Sequence, residues 1–268
     1  MHTKQEKLEA FGKLIDIMDE LREKCPWDKE QTFDTLRNLT IEEVYELSEA
    51  ILEYNYVDIK KELGDLLLHI IFYSRIASED MKFDIGDVIN ALNKKLIFRH
   101  PHVFGEVTVK DANNVKENWE EIKMKEGNHS VLGGVPSGLP ALIKANRIQE
   151  KARAVGFDWN VKEQVWDKVE EELNELLQGI SLSQKEKIEE EFGDLLFSIV
   201  NAARLYDIDP ESALERTNRK FIKRFKYLES KTIKNGKNLR KMTLEEMDAI
   251  WNEAKKMGED KGRRGRSD

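Results

Sequence analysis

Cysteine is almost missing from this chain: Cys25 is the only one in 268 residues. An intrachain disulfide is therefore excluded, and a reducing, cytoplasmic setting is expected. Proline is nearly as scarce, at five residues, which leaves long stretches free to run as helix. No apolar run reaches the roughly 18 residues that a membrane-spanning helix needs, so no membrane partner is expected. The opening Met1-His-Thr-Lys-Gln-Glu6 lacks the apolar stretch of a signal peptide. Positive charge is in deficit, with 44 Lys and Arg against 52 Asp and Glu and a formal net charge of −8. That balance argues against a general nucleic-acid footprint, and no specific nucleic-acid partner is expected. Strand-type alternation is also missing, whereas apolar residues recur at helical spacing over long segments. The fold class expected is all-α.

Helix-breaking residues are concentrated in one place. Gly127-Asn-His-Ser-Val-Leu-Gly-Gly-Val-Pro-Ser-Gly-Leu-Pro140 holds four glycines and two prolines and reads as a connector over 127–140. It separates an N-terminal domain, 1–126, from a C-terminal domain, 141–258. Lys261-Gly-Arg-Arg-Gly-Arg-Ser-Asp268 reads as the core of a basic disordered tail, 259–268.

The two halves repeat one another. Thr40-Ile-Glu-Glu-Val-Tyr-Glu-Leu-Ser-Glu-Ala-Ile51 followed by Lys61-Glu-Leu-Gly-Asp-Leu-Leu-Leu68 is matched by Val169-Glu-Glu-Glu-Leu-Asn-Glu-Leu-Leu177 followed by Glu190-Glu-Phe-Gly-Asp-Leu-Leu-Phe197. Glu43, Glu46, Glu62 and Asp65 map onto Glu172, Glu175, Glu191 and Asp194 at a constant shift of 129. Acids three apart lie on one side of a helix. With Glu43 as reference, Glu46 lies about 60° to one side, and Leu47, Ile51 and Val44 lie about 40°, 80° and 100° to the other. The quartet is therefore expected to share the core-facing arc, while Glu42, Glu49 and Glu53 face solvent. Gly64 and Gly193 are expected to admit a close neighbouring helix or ligand.

Four inward carboxylates repel one another and lose hydration unless something compensates them. A hard divalent cation with oxygen ligands, Mg²⁺ above all, does so and leaves coordination positions for water and phosphate. Helix capping is the plainer account, since Thr40-x-x-Glu43 fits a capping box. Its counterpart, however, begins with Val169, which cannot cap, and Glu172 is still present. A di-iron bundle would call for Glu-x-x-His motifs, and neither half has one at these places. His69 shares the face but is replaced by Ser198, so it reads as a core residue or a support for the ligands.

A second matched group follows. Asn93, Lys95 and Arg99 correspond to Asn218, Lys220 and Arg224 at a constant shift of 125. Lys and Arg four apart share a helix face and suit phosphate as a point charge and a bidentate fork; a solvated basic face is the alternative. Trp119 and Trp251 end the two halves, placed either to stack on a nucleobase or to pack. Cys25-Pro-Trp-Asp28 and Gly156-Phe-Asp158 read as turns entering the acidic helices, with Trp27 or Asp28 within reach of a ligand.

Taken together, Cys25-Pro-Trp-Asp28, Glu42-Glu-x-x-Glu46 with Glu62-x-x-Asp65, Val155-Gly-Phe-Asp-Trp159, Glu171-Glu-x-x-Glu175 with Glu191-x-x-Asp194, and Asn218-x-Lys220-x-x-x-Arg224 resemble the MazG nucleoside triphosphate pyrophosphohydrolases in their tandem form. The resemblance implies two all-α helical-bundle domains assembled as a homodimer. It implies nucleoside triphosphates as substrates, cleaved to monophosphate and pyrophosphate with broad base tolerance in a nucleotide-pool housecleaning role. Mg²⁺ is the implied cofactor, with Mn²⁺ as a substitute. Glu172, Glu175, Glu191 and Asp194 would hold the metal, as would Glu43, Glu46, Glu62 and Asp65. Lys220 and Arg224 would bind phosphates and Trp251 the base region, with Asn218, Asn93, Lys95, Arg99 and Trp119 as further substrate contacts. Glu175 and Glu46 are the candidate general bases. Both quartets are intact, so the sequence leaves open which half is active.

Overall fold

A computed structural model describes residues 1–111, 114–115, 118–119, 122, 130–159, 161–234 and 238–264. The chain divides into two compact units, 1–122 and 123–268. Among the described residues the regular structure is entirely helical, and none of these helices is long and apolar enough to cross a membrane.

The first unit contains α1 (Lys4–Lys24), α2 (Pro26–Glu30), α3 (Phe33–Leu52), α4 (Tyr56–Glu79), α5 (Ile85–Arg99) and α6 (Pro101–Phe104). The second contains α7 (Ala141–Ala154), α8 (Val165–Ser181), α9 (Lys185–Leu205), α10 (Pro210–Lys234) and α11 (Leu244–Arg264), with short 3₁₀ turns at Lys162–Gln164 and Leu239–Lys241. Residues 130–140 form turns and bends, as their Pro and Gly content requires; 127–129 lie outside the described residues. Cys25-Pro-Trp-Asp28 is not a simple turn. Pro26 occupies the first turn of α2, where its missing N–H costs nothing. The last helix continues to Arg264, through residues 259–264 where a disordered tail is expected. Lys, Glu and Arg are good helix formers and outweigh the lone Gly262. Residues 265–268 lie outside the described residues.

Each acidic pair of helices is a hairpin: α3 with α4, and α8 with α9. Both turn through a residue in the left-handed region, Tyr54 (φ 54°) and Ser183 (φ 54°), which ends the helix in the manner usual for a C-terminal cap. The repeat thus extends to the backbone of the turn that sets the hairpin's register. α3 begins at Phe33 because Thr32 caps it, its hydroxyl accepting the Thr35 amide and Thr35 bonding back to the Thr32 amide. Thr40 is therefore mid-helix, and its hydroxyl donates to Leu36 O at 2.9 Å. The capping account of Glu43 is excluded.

Core residues Met18, Leu36, Ile71, Phe72 and Ile76 hold α1, α3 and α4 together. In the second unit Val165, Leu176, Val200 and Leu228 are buried, and α7 packs on both α9 and α10. Asp158 is fixed there by Arg204, with Nη2 at 2.5 Å from Oδ1 and Nη1 at 3.1 Å from Oδ2. Burial pushes the Asp158 carboxyl upward. The hydrogen bonds from Arg204 and the Trp159 amide, with the charges of Arg204 and Arg153, outweigh it and hold the group below its ordinary value. An acid with a depressed folded pKa contributes stability above its unfolded pKa and loses it as pH falls through the folded value. Asp158→Asn leaves Arg204 buried without its countercharge and is expected to cost about 3 kcal/mol. Thermal melts at pH 7 and pH 3 check this: the deficit against the wild type should be large at pH 7 and shrink at pH 3.

Candidate metal and phosphate site

The hairpins bring the expected acids together. Oxygens from Glu43 and Glu46 on α3 and Glu62 on α4 lie within 4.8 Å of one another, and Glu172 and Glu175 on α8 with Glu191 on α9 repeat this within the same 4.8 Å. Asp65 and Asp194, one turn further along, stand outside these triplets. They remain close enough to act electrostatically: Asp65 raises the pKa of Glu43 and Asp194 that of Glu191. For both glutamates burial is the largest cause of the upward shift, with the neighbouring carboxylates adding to it.

Not all four acids point inward. Glu62, Glu172 and Glu191 are buried, Glu43 and Asp65 are half-buried, and Glu46, Glu175 and Asp194 are exposed. Each site is therefore an open-mouthed cup with buried acids at its floor. The helical wheel misassigns the face because Val44 and Ile51 are themselves about half exposed, at 50% and 51%. Among the described residues of its own unit, nothing covers the apolar side of α3. Gly64 and Gly193 show the same openness, since a Cβ built on either meets nothing within 4 Å. Among the described residues of either unit, the close neighbour expected there is not found.

At the floor of the two cups one oxygen each is buried and unsatisfied: Glu62 Oε2 and Glu191 Oε2 have no hydrogen-bond partner. These residues are equivalent in the repeat. An ionised oxygen in that condition is costly unless a cation meets it. The donor set is hard carboxylate oxygen throughout, which fits Mg²⁺ or Mn²⁺ and not a thiolate- or imidazole-seeking metal.

Lysines enter the cups, and the sequence reading did not include them. Lys61 Nζ lies 2.9 Å from Glu62, 3.8 Å from Glu46 and 3.8 Å from Asp65. Lys168 Nζ lies 2.7 Å from Glu172 and 3.0 Å from Glu171, and the hydrogen bonds it donates to these two acids raise its pKa. The four-residue spacings Lys61–Asp65 and Lys168–Glu172 were the available signal.

His69 is buried beneath the first cup. Its Nδ1 is 2.9 Å from Thr40 Oγ1, which is also 2.7 Å from the Tyr73 hydroxyl. The Thr40 hydroxyl, which also donates to Leu36 O, thus ties the imidazole and the Tyr73 phenol to the backbone of α3. Burial pushes the imidazole pKa down and keeps the ring neutral. Val169, Ser198 and Ala202 occupy the equivalent places, so this support is confined to the first unit.

The basic set is only partly gathered. Arg224 lies over the Trp251 ring at 5.8 Å, and Phe221 packs on the same ring at 4.9 Å. Glu253 accepts from the Tyr227 hydroxyl at 2.6 Å and from Lys231 at 3.0 Å, which clips α11 to α10 two residues from Trp251. In the first unit Trp119 meets His100, the neighbour of Arg99, edge-on at 5.2 Å. Asn93, Lys95, Asn218 and Lys220 lie on exposed turns of α5 and α10. Among the described residues, Lys220 and Arg224 form no ion pair with the acidic quartet. Asp28 is buried and Trp27 is exposed.

Two helical hairpins, one in each unit and each gathering a triplet of carboxylate oxygens, define the class: an α-helical protein with a repeated acidic site. The description of the MazG nucleotide pyrophosphohydrolase domain matches residues 31–104 and 162–228, and the chain belongs to this family. It is 47% identical over 250 residues to the nucleoside triphosphate pyrophosphohydrolase/pyrophosphatase MazG of Thermotoga maritima, covering 91% of this chain and 95% of the relative. It is 40% identical over 258 residues to the nucleoside triphosphate pyrophosphohydrolase of Escherichia coli, covering 93% and 98%. A crystal structure of a mazG-related protein from Thermotoga maritima superimposes with a TM-score of 0.38 at 25% identity, over 42% of this chain and 98% of that one.

Proposed function

We propose that the chain is a Mg²⁺-dependent nucleoside triphosphate pyrophosphohydrolase that releases nucleoside monophosphate and pyrophosphate, with broad base tolerance and a housecleaning role. The observation that carries this is the twice-built carboxylate cup with an orphaned buried oxygen in each floor, Glu62 Oε2 and Glu191 Oε2. The names of the relatives support the substrate class.

Glu172, Glu175, Glu191 and Asp194 would hold the cation in the second unit, and Glu43, Glu46, Glu62 and Asp65 in the first. The bound ion would neutralise phosphate charge and lower the pKa of a coordinated water. Glu175, or Glu46 in the first unit, is exposed at the rim and would act as general base in place of a ligand, taking the proton of the attacking water. The water oxygen bonds to the α-phosphorus, the bond from that phosphorus to the bridging oxygen breaks, and pyrophosphate departs. Lys220 and Arg224 would stabilise the charge growing on the leaving group, with Trp251 at the base. In the first unit Asn93, Lys95, Arg99 and Trp119 would take the corresponding places.

The apolar faces of the two hairpins lead us to place a second copy of the chain against them, making a homodimer in solution. The deciding experiment for the activity is a panel of the four ribonucleoside triphosphates and dUTP, incubated with the full chain and Mg²⁺, with nucleotide and pyrophosphate products quantified. Monophosphate and pyrophosphate in equal amounts from several bases are expected. Release of orthophosphate and nucleoside diphosphate, or binding without turnover, would sink the proposal; turnover of dUTP alone would sink its broad specificity.

A further inference from the structure

The two cups are alike in their acids but not in the cation already inside them. Lys61 is on α4, and its ammonium reaches Glu62 and Asp65 on its own helix and Glu46 across on α3, at 2.9, 3.8 and 3.8 Å. It bridges the hairpin at the mouth of the triplet Glu43–Glu46–Glu62. The equivalent position in the second unit, 129 residues on, is Glu190, which reverses the charge. The lysines of the second cup enter differently. Lys168 pairs with Glu171 and Glu172 on its own helix α8, and Lys187 comes only to 4.0 Å from Glu191 on its own helix α9. Among the described residues neither joins the two helices. There the buried Glu191 instead faces Glu175 of α8, with carboxylate oxygens within 4.8 Å of one another.

We propose that Lys61 is a built-in competitor for the divalent cation, so that the first cup loads at higher metal concentration than the second. The proposal rests on the metal reading given above. A divalent ion entering the first cup must break the three contacts of Lys61 and turn the ammonium out into solvent or toward a substrate phosphate. The side chain is 62% exposed, so the route outward is open and the penalty is modest. Three screened ion pairs lost together correspond to about a tenfold weakening. In the second cup Lys168 keeps its contact with Glu171, outside the triplet, when an ion takes Glu172, and Glu190 stands at the position that Lys61 holds in the first. The outcome is a chain whose two units respond to different ranges of free Mg²⁺.

The test is Mn²⁺ binding to the full chain without nucleotide, followed by the electron paramagnetic resonance of the free ion. Two affinity classes are expected. Glu43→Gln with Glu62→Gln should remove the weaker class, and Glu172→Gln with Glu191→Gln the tighter one. Lys61→Gln should tighten the weaker class by about tenfold, bringing the two classes together. Lys61→Arg should leave it weak, because the charge is retained. Glu190→Lys should weaken the tighter class by a similar factor. Lys61→Gln with both classes unchanged, or a first cup that binds the tighter ion in the wild type, would overturn the proposal. A wild type that binds no Mn²⁺ at all would instead overturn the metal reading on which it stands. Lys61 and Glu190 are exposed, so neither variant threatens the fold.

Discussion

Replacing Glu172 and Glu43 together by Gln is expected to lower nucleoside triphosphate hydrolysis by about a thousandfold. Gln keeps the shape of Glu but removes the ionised oxygen from both triplets at once. Stabilisation of several kcal/mol is ascribed to a catalytic metal ion, and each 1.36 kcal/mol is a decade of rate. Glu172→Gln alone and Glu43→Gln alone then apportion the activity between the units, which the intact quartets do not decide. A structural role would predict a different pattern. Glu172 is buried among like charges, and its loss removes repulsion along with the Lys168 contact at 2.7 Å. Its removal should leave the melting temperature in the absence of metal little changed. Mg²⁺ should raise the melting temperature of the wild type, since a ligand that binds only the folded state stabilises it, and should do so less in the double variant. Full activity in the double variant would end the metal-site reading.

Much of this site was legible because the sequence says it twice. A shift of 129 carries Glu43, Glu46, Glu62 and Asp65 onto their counterparts. The same shift joins Tyr54 to Ser183, whose shared left-handed backbone fixes the turn that brings each pair of helices into register. Periodicity alone located the acids on one helix face. It could not say what that face meets. A helical wheel treats the apolar arc as buried, yet Val44, Ile51, Leu63, Leu67 and Ile70 stay open to solvent within the first unit, and Leu173, Ile180, Phe192, Leu196 and Ile199 do so in the second. The Thr40 capping pattern fails for a related reason: such a pattern is local, and the Thr32–Thr35 pair, beginning eight residues upstream, has already started the helix. Lys61 and Lys168 were overlooked because each reads alone as ordinary surface charge. Only the folded hairpin shows that Lys61 spans two helices.

The open apolar faces set the second large effect. Leu173, Ile180, Phe192, Leu196 and Ile199 are each 43–55% exposed, and each is the 129-residue counterpart of an apolar residue exposed on the first hairpin. Apolar positions scattered over a surface need no explanation, but a matched set along one hairpin does, because contiguous exposed apolar area marks an interaction surface. Burial contributes about 25 cal/mol per Å² of apolar area, so two such faces closing on one another would add a second apolar contact to the core that each unit already has. The vacant space beside Gly193 lies on the same helix, where a nearby backbone from a partner would meet no Cβ. A second copy of the chain offers a face of the same shape and pattern, as a two-fold interface requires. Leu173→Asp with Leu196→Asp places two charges in that contact and is expected to convert the dimer to monomer at micromolar concentration, read as a halving of mass by light scattering after size exclusion. A partner on this face would also screen the open side of the cups from water, so on the dimer proposal hydrolysis should fall with the mass. A wild type that runs as a monomer would end the dimer proposal, and a double variant that stays dimeric would move the interface elsewhere. A monomeric variant with full activity would show that each cup is complete within its own chain.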